Sequence, residues 1–369
     1  MMQEIKVIHT EWSGGWGGQE IRIINESLAI KQKYAVKIFI ACKEDSQISI
    51  KARQAGLEVV HFAFKSSFDL KTIFALVKFT KQNGISILNS HSGKDTWVGG
   101  IAAKIAGIKF IRTRHLSNPI NPSRLNFINS LADFIITTGS GVREAMIRDN
   151  RIKKDKISSI PTGIDDKEFD PNIYNKNECK ELFGFEKDKI YIGMLGVLRS
   201  VKRCDLFLDI ALKLHDDFKD VRFVIAGDGP QREKLQNFID KNGMNGYAKL
   251  LGHTKDSAKF LKAIDIFMLT SQNEGVPQAL IQALLMQKAC IATNVGSVKD
   301  LYDGSNFCLS DFNKDVLALN LTSILKDNTK KEKFQTNARD FVKLHFTKDI
   351  MAQKIYKIYM DLLSGGSNN

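Results

Sequence analysis

The residue types best suited to chemistry are gathered in short segments between apolar runs. The densest is Asn273-Glu274-Gly275-Val276-Pro277-Gln278-Ala279-Leu280-Ile281-Gln282-Ala283. Gly275 allows close backbone approach to a ligand, and Pro277 suits the first position of a helix. The free N–H groups of such a helix start form an anion site matched to a diphosphate. Glu274, just before the helix, can accept hydrogen bonds from ligand hydroxyls, and Gln282 lies about a turn and a half inside it. Read alone, the segment is equally a helix that merely begins with a favourable acid.

Three further segments are candidates. Gly196-Val197-Leu198-Arg199-Ser200-Val201-Lys202-Arg203 puts cations after a glycine at a strand end, where they can hold phosphates and stabilise a leaving diphosphate. It can also be read as a solvated basic loop. Trp12-Ser13-Gly14-Gly15-Trp16-Gly17-Gly18-Gln19-Glu20 is neither a Walker loop nor a GxGxxG fingerprint, yet its four glycines between strand and helix permit close approach to a ligand. His91, in Asn89-Ser90-His91-Ser92-Gly93-Lys94, and His115, in Arg112-Thr113-Arg114-His115, are the polar candidates of the first half. A lone histidine is more often structural; two at strand ends improve the case. Gly227-Asp228-Gly229-Pro230 reads as plain turn chemistry. No acidic cluster points to a bound metal, and no DxD stands at a strand end.

These segments need elements to position them. In the first half, strands are expected at residues 5–9, 35–42, 59–62, 85–90, 109–114 and 134–138, with helices at 19–30, 68–81 and 97–106. Helix 68–81 carries Leu70, Phe74, Val77 and Phe79. Such alternation predicts a parallel, doubly wound α/β sheet, whose ligand crevice lies beyond the carboxyl ends of the strands. His9, His91 and His115 fall at or just past those ends. Residues 160–171 break the pattern with Pro, Gly and Asp and read as a link. The pattern then restarts, with strands at 190–195, 222–226, 249–251, 266–269 and 290–293. The helices of this half are 204–215, 231–242, 257–263 and 277–286. Residues 348–363 read as an amphipathic helix and 364–369 as a disordered tail. The expected domains are 1–165 and 166–347, followed by that helix.

Composition sets the class. At 369 residues, 43% hydrophobic and 26% charged, the chain is long enough for two globular domains with cores of their own. Five scattered cysteines without metal spacing read as reduced, intracellular thiols. Glu4 and Lys6 interrupt any leader-like start, and no apolar run approaches the roughly 18 residues of a membrane span. A cytoplasmic protein is therefore expected. Residues 1–165 hold 24 Lys and Arg against 14 Asp and Glu, an excess of +10, whereas the remainder holds 30 against 27. An uneven basic surface suits anionic substrates or an anionic membrane face. A lysine-rich proteome would leave the same mark.

In this order the motifs resemble the retaining glycosyltransferases of family 4, which have the GT-B fold: two Rossmann-like domains facing across a cleft, with the C-terminal helix packing back on the N-terminal domain. The likeness runs from Gly17-Gly18-Gln19-Glu20 through Ile160-Pro161-Thr162-Gly163-Ile164-Asp165, Gly227-Asp228-Gly229-Pro230 and Leu251-Gly252-His253. It continues through Ala263-Ile264-Asp265-Ile266-Phe267-Met268-Leu269-Thr270-Ser271, Glu274-Gly275-Val276-Pro277 and Ile291-Ala292-Thr293-Asn294-Val295-Gly296 to the last helix. Each motif is weak to moderate alone; the ordered set is specific.

The resemblance implies a nucleotide-sugar donor on the C-terminal domain, an acceptor on the N-terminal one, and no metal or other cofactor. By position, Glu274 would bind donor-sugar hydroxyls and Lys202 the phosphates, with Gly275 and Val276 beside them. His115 would contact the sugar near the reacting carbon, so His115 and Glu274 are the implied catalytic pair. Gly17 and Gly18 would approach the diphosphate. Trp12, His91, Arg112 and Arg114 are candidates for the acceptor side. The sequence departs from the family pattern twice. The second glutamate, seven residues beyond the first, is Gln282, whose amide can still hydrogen-bond a ribose. The arginine usual after the glycine is Val197, for which Arg199 can substitute. The implied acceptor is a cell-surface glycan or lipid-linked oligosaccharide, such as a lipopolysaccharide core, with the protein peripheral on the inner membrane. No nucleic-acid partner is expected. A sugar-nucleotide epimerase, a transferase acting on soluble metabolites, and a catalytically silent nucleotide-binding protein are the other readings.

Overall fold

Strand runs rich in valine and isoleucine are apolar on both faces, as a sheet covered by helices on both sides requires. The computed structural model describes residues 4–115 and 127–365. It begins β1 (Ile5–Glu11), α1 (Gly18–Lys33), β2 (Val36–Cys42), α2 (Gln47–Gln54), β3 (Glu58–His61), α3 (Leu70–Asn83), β4 (Ile87–Ser90), α4 (Gly93–Ala106) and β5 (Lys109–Arg114). Next come α5 (Ile128–Leu131), β6 (Phe134–Thr137), α6 (Ser140–Asp149), β7 (Ile157–Ser159), α7 (Lys176–Leu182), β8 (Ile190–Leu195), α8 (Cys204–Leu214), β9 (Val221–Ala226), α9 (Arg232–Lys241) and β10 (Ala248–Gly252). The chain closes with α10 (Ser257–Ala263), β11 (Ile266–Leu269), α11 (Gln278–Leu285), β12 (Ala289–Thr293), β13 (Cys308–Ser310), α12 (Lys314–Lys326), α13 (Asn328–His345) and α14 (Lys348–Ser364).

Two units result. The first is Met1–Gly163 with Lys348–Asn369, and the second is Ile164–Thr347. The first has a seven-stranded parallel sheet in the order β3-β2-β1-β4-β5-β6-β7. The second has a six-stranded parallel sheet, β10-β9-β8-β11-β12-β13. In each sheet the order reverses beside its first strand, between β1 and β4 and between β8 and β11. Connections from these strands leave in opposite directions and open a crevice at their carboxyl ends.

Core packing follows from the same alternation. In the first unit, one apolar layer joins Ile23 and Ile30 of α1 to Met351, Ile355 and Tyr359 of α14. The other layer, across the sheet, joins Ile73 and Leu76 of α3 to Val98 and Ala102 of α4. The last helix thus returns to the first unit, with Tyr356 stacked on Tyr34 at 3.9 Å and the Gly163 N–H on Met351 Sδ at 3.2 Å. The unit boundary lies at Gly163, two residues before the expected 165.

Four differences from the sequence reading matter for the site. Strand β1 runs on to Glu11, so His9 sits inside the strand and not at its end. Helix α4 begins four residues early, at Gly93, because Ser92 and Asp95 cap it reciprocally. Pro277 is the cap residue and not the first helical one, leaving α11 as Gln278–Leu285. Helix α3 is displaced by two residues because Asp69 caps it, its Oδ1 accepting from the Thr72 N–H at 3.2 Å. It buries Ile73, Leu76 and Thr80, while Leu70 and Phe74 face outward at 64% and 62% exposure. Of the expected tail, residues 366–369 lie outside the described residues, and Ser364 closes α14.

Candidate active site

The second unit supplies one constellation at its β8/β11 reversal. Lys202 ends a short 3₁₀ turn after β8, and Glu274 lies in the loop between β11 and α11. Lys202 Nζ stands 2.6 Å from Glu274 Oε1, and the Ser271 hydroxyl donates to the same oxygen. The two loops are laced together below this pair. Gln272 N–H donates to the Val201 carbonyl at 2.8 Å, and the Thr270 hydroxyl donates to the Arg203 carbonyl at 2.9 Å.

Two glycines hold these loops in shape. At Gly227 (φ +147°) a Cβ would stand 1.8 Å from the Gly196 carbonyl oxygen, so the Gly-Asp-Gly turn packs directly on the basic loop. At Gly296 (φ +56°) a Cβ would stand 1.8 Å from the Glu274 carbonyl oxygen, which also accepts from the Ser297 N–H at 3.2 Å. Both positions therefore demand glycine. Arg199 and Val197 are exposed, Gln282 is half-buried on α11, and Gly275 and Val276 are half-buried ahead of it.

The first unit supplies another constellation at its β1/β4 reversal. His9 Nδ1 lies 2.8 Å from His91 Nε2, and His91 Nδ1 lies 2.9 Å from His115 Nε2. The rings run side by side, with centroids 5.1 and 5.2 Å apart. Burial drives the His9 pKa down to about 3 and those of His91 and His115 well below the usual histidine value. Neighbouring histidines and Arg22 push His91 further, and Arg22 pushes His115. All three are neutral at pH 7, so the rings share protons by tautomer and not by charge.

Arg22 is fully buried in α1, with its Nε 3.3 Å from Glu26 Oε2 and its Nη1 3.3 Å from the Thr162 hydroxyl. At the end of β5, burial and then Arg114 lower the Arg112 pKa to about 10, against the pull of Asp95; burial also lowers that of Arg114. Trp12 follows β1 with Lys94 Nζ 4.2 Å and Lys43 Nζ 5.0 Å from its ring centre. Gly17 caps α1, and its N–H donates to Glu20 Oε2 at 2.8 Å. A carboxylate thus already sits where an anion would meet that backbone.

Comparison with known proteins decides what these constellations belong to. The profile for glycosyltransferase family 4 matches residues 16–168, and that for glycosyl transferases group 1 matches residues 175–341. The UDP-Gal:alpha-D-GlcNAc-diphosphoundecaprenol alpha-1,3-galactosyltransferase of Escherichia coli is 30% identical over 270 residues, covering 68% of this chain and 70% of that protein. This chain belongs to glycosyltransferase family 4. The N,N'-diacetylbacillosaminyl-diphospho-undecaprenol alpha-1,3-N-acetylgalactosaminyltransferase of Campylobacter jejuni is 26% identical over 355 residues, 88% of this chain and 90% of that protein. The Anabaena HepE structure in complex with UDP superposes with a TM-score of 0.83 at 18% identity, covering 97% of this chain and 100% of that one. The glycosyltransferase therefore has the GT-B fold, in agreement with its two parallel sheets.

Within the glycosyltransferase, Lys202 and Glu274 meet directly, and His91 and His115 join His9 in one chain. Among the described residues Arg199 joins no such partner set; it is an exposed residue preceding the 3₁₀ turn. Several polar residues escaped the sequence reading. Arg22 and Glu26 form an i,i+4 pair that nothing in the sequence marks as buried. Glu11 and Asp95 lie beneath the glycine loop; the Ser92-x-x-Asp95 spacing was the one available signal, a helix-start signature. The five cysteines are free, four of them buried.

Proposed function

We propose that the enzyme moves a sugar from a nucleotide-diphosphate donor onto a lipid-linked or cell-surface glycan, with retention of anomeric configuration and without a metal ion. The carrying observation is the Lys202–Glu274 pair at the reversal point of the second sheet. Glu274, held by Lys202 and Ser271, is preorganised to accept donor-sugar hydroxyls. Lys202, with Arg199 three residues earlier in the same loop, supplies positive charge to the leaving diphosphate, the work a divalent ion does elsewhere. Gln282 takes the ribose. His115, neutral and backed by His91 and His9, offers a hydrogen bond near the reacting carbon. The anomeric C–O bond to the diphosphate breaks, the acceptor oxygen bonds to that carbon on the same face, and the acceptor proton leaves with the nucleoside diphosphate.

Both bacterial relatives are named for acceptors on diphosphoundecaprenol, and such an acceptor fits the first unit. Lys43 and Lys94 bring two cations to Trp12 at the strand ends. The outward face of α3 adds Leu70 and Phe74, next to Phe68 at 65% exposure, to the exposed Lys71, Lys78 and Lys81. A face combining apolar and basic residues suits an anionic lipid surface, so we place the enzyme on the cytoplasmic side, peripheral to the inner membrane. No helix among the described residues is long and apolar enough to cross a membrane.

The test incubates the purified protein with UDP-, GDP- and ADP-sugars and a short-chain polyprenyl diphosphate-linked acceptor, with and without EDTA, and reads the product anomer by NMR. Transfer with the donor's anomeric configuration in EDTA is expected. An inverted product, or activity lost to EDTA and restored by a divalent ion, would overturn the corresponding part.

A further inference from the structure

Glu11, the last residue of β1, is fully buried and gathers three parts of the first unit. Its Oε1 accepts from the Ser13 N–H at 2.8 Å, and its Oε2 accepts from the Gln19 side-chain amide. Ser13 and Gln19 stand at the two ends of the glycine loop, so one carboxyl closes that loop at its base. Between these braces nothing lies within 4 Å of where a Cβ on Gly14 would stand, while the Gly14 carbonyl accepts from the Gln47 N–H at 3.4 Å. Glu11 Oε1 also lies 3.0 Å from the hydroxyl oxygen of Ser92, which in turn is bonded to Asp95 Oδ1.

A serine hydroxyl owns one hydrogen and cannot donate to both carboxyls. With both ionised, one of these contacts would set lone pair against lone pair in a buried place. One carboxyl must therefore carry a proton. Asp95 is the better anion. Its oxygens accept from the Thr10 hydroxyl at 3.0 Å, the His91 N–H at 2.9 Å and the Ser92 N–H at 3.1 Å, at the N-terminus of α4. The order Glu11 O–H to Ser92 O–H to Asp95 carboxylate gives each of the two Ser92 contacts its own hydrogen.

The surroundings agree. Burial and then the Asp95 charge raise the Glu11 pKa to about 8, and burial raises that of Asp95 to about 6. Gln19 faces Glu11 from α1, Ser92 and Asp95 from α4, and Cys42 from β2; Arg112 acts on Asp95 from β5. Neither carboxyl forms a salt bridge among the described residues.

We propose that Glu11 is a positioning residue whose proton, held at neutral pH, fixes the path of residues 12–18 where that loop approaches the donor diphosphate. This rests on the donor reading given above for that loop. Losing the proton sets a second charge against Asp95 and breaks the Glu11–Ser92 contact, so Glu11 draws away from Ser92 as pH rises past about 8 and shifts the loop that Ser13 and Gln19 keep bonded to it.

Two of the three tryptophans, Trp12 and Trp16, lie in the loop, and the third is Trp97. In the full-length W97F protein, loop fluorescence should show a transition near pH 8, and it should vanish in W97F/E11Q, whose amide keeps the shape without the charge. Infrared spectra at pH 7 should show a protonated-carboxyl band that E11Q removes. With donor and acceptor present, wild-type kcat/KM for the donor should fall on the same alkaline limb. E11Q should be at least tenfold more active than E11A and lack that limb, with acceptor KM changed less than twofold. An unchanged fluorescence transition in W97F/E11Q, or no carboxyl band lost on substitution, would overturn the proposal. Calorimetric UDP binding, scored separately, reports on the donor reading, and the optical arms decide the Glu11 proton whether or not sugar is transferred.

Discussion

At the scale of single residues, the glycosyltransferase works with groups whose partners matter more than their type. Glu274 is an ordinary glutamate until Lys202 and Ser271 hold its carboxyl still. Glu274→Ala should lower turnover at least about tenfold by releasing the donor sugar from its reactive pose, with the far-ultraviolet circular dichroism unchanged. Lys202→Ala should lower kcat more than it raises donor KM, because charge on the diphosphate grows toward the transition state. Equal effects on both constants would assign Lys202 to ground-state binding. Gln282→Ala should weaken nucleotide binding by about 1–2 kcal/mol, the order of one hydrogen bond in a closed site, and Gln282→Glu should remain active. Identical nucleotide affinity in all three proteins, measured by calorimetry, would remove Gln282 from the ribose site. The sequence singles out Glu274, Lys202 and Gln282 one at a time and implies their roles only through the family resemblance. The Lys202–Glu274 contact was not legible there, since the two are 72 positions apart and only the neighbouring ends of β8 and β11 bring them together.

At the scale of elements, loops act because turns force them into place. Gly296→Ala should place a methyl group against the Glu274 carbonyl at a backbone angle that side chains avoid. A melting-temperature drop and a loss of turnover comparable to Glu274→Ala are expected, the strain alone being on the order of 1–3 kcal/mol. Wild-type activity in this variant would uncouple the turn from the site. The Glu11–Ser92–Asp95 chain makes a second claim at this scale. Folding raises the Glu11 pKa from 4.5 to about 8, so the folded state binds this proton more tightly. Its stabilising contribution is complete below pH 4.5 and is lost as pH rises through about 8. Denaturant melts from pH 5 to 9 should therefore show wild type losing stability relative to E11Q, and parallel curves would contradict the assignment. Strand positions followed from apolar runs, but the start of α4 at Gly93 was set by the Ser92 cap, which the apolar period begins too late to show.

At the scale of the whole molecule, the chain combines a basic first half with an outward apolar face on α3. Co-sedimentation with anionic vesicles at low salt is expected, weakened by added salt and by Leu70→Ser with Phe74→Ser. Protein that stays in the supernatant at low salt would make a soluble acceptor the better reading. The pattern of residues along the chain sufficed for the two-sheet α/β plan, the order of the motifs and the family, because parallel strands and glycine-bearing turns are written locally in periodicity and residue type. Tertiary structure alone decided which charges are silent. His9, His91, His115 and Glu11 look in sequence like any other titratable residues. Only their burial, with the partners that packing assigns them, makes three histidines neutral and raises the pKa of the Glu11 carboxyl, because desolvation and hydrogen-bond count depend on neighbours from β1, β4, β5, α1 and α4 that no local pattern records.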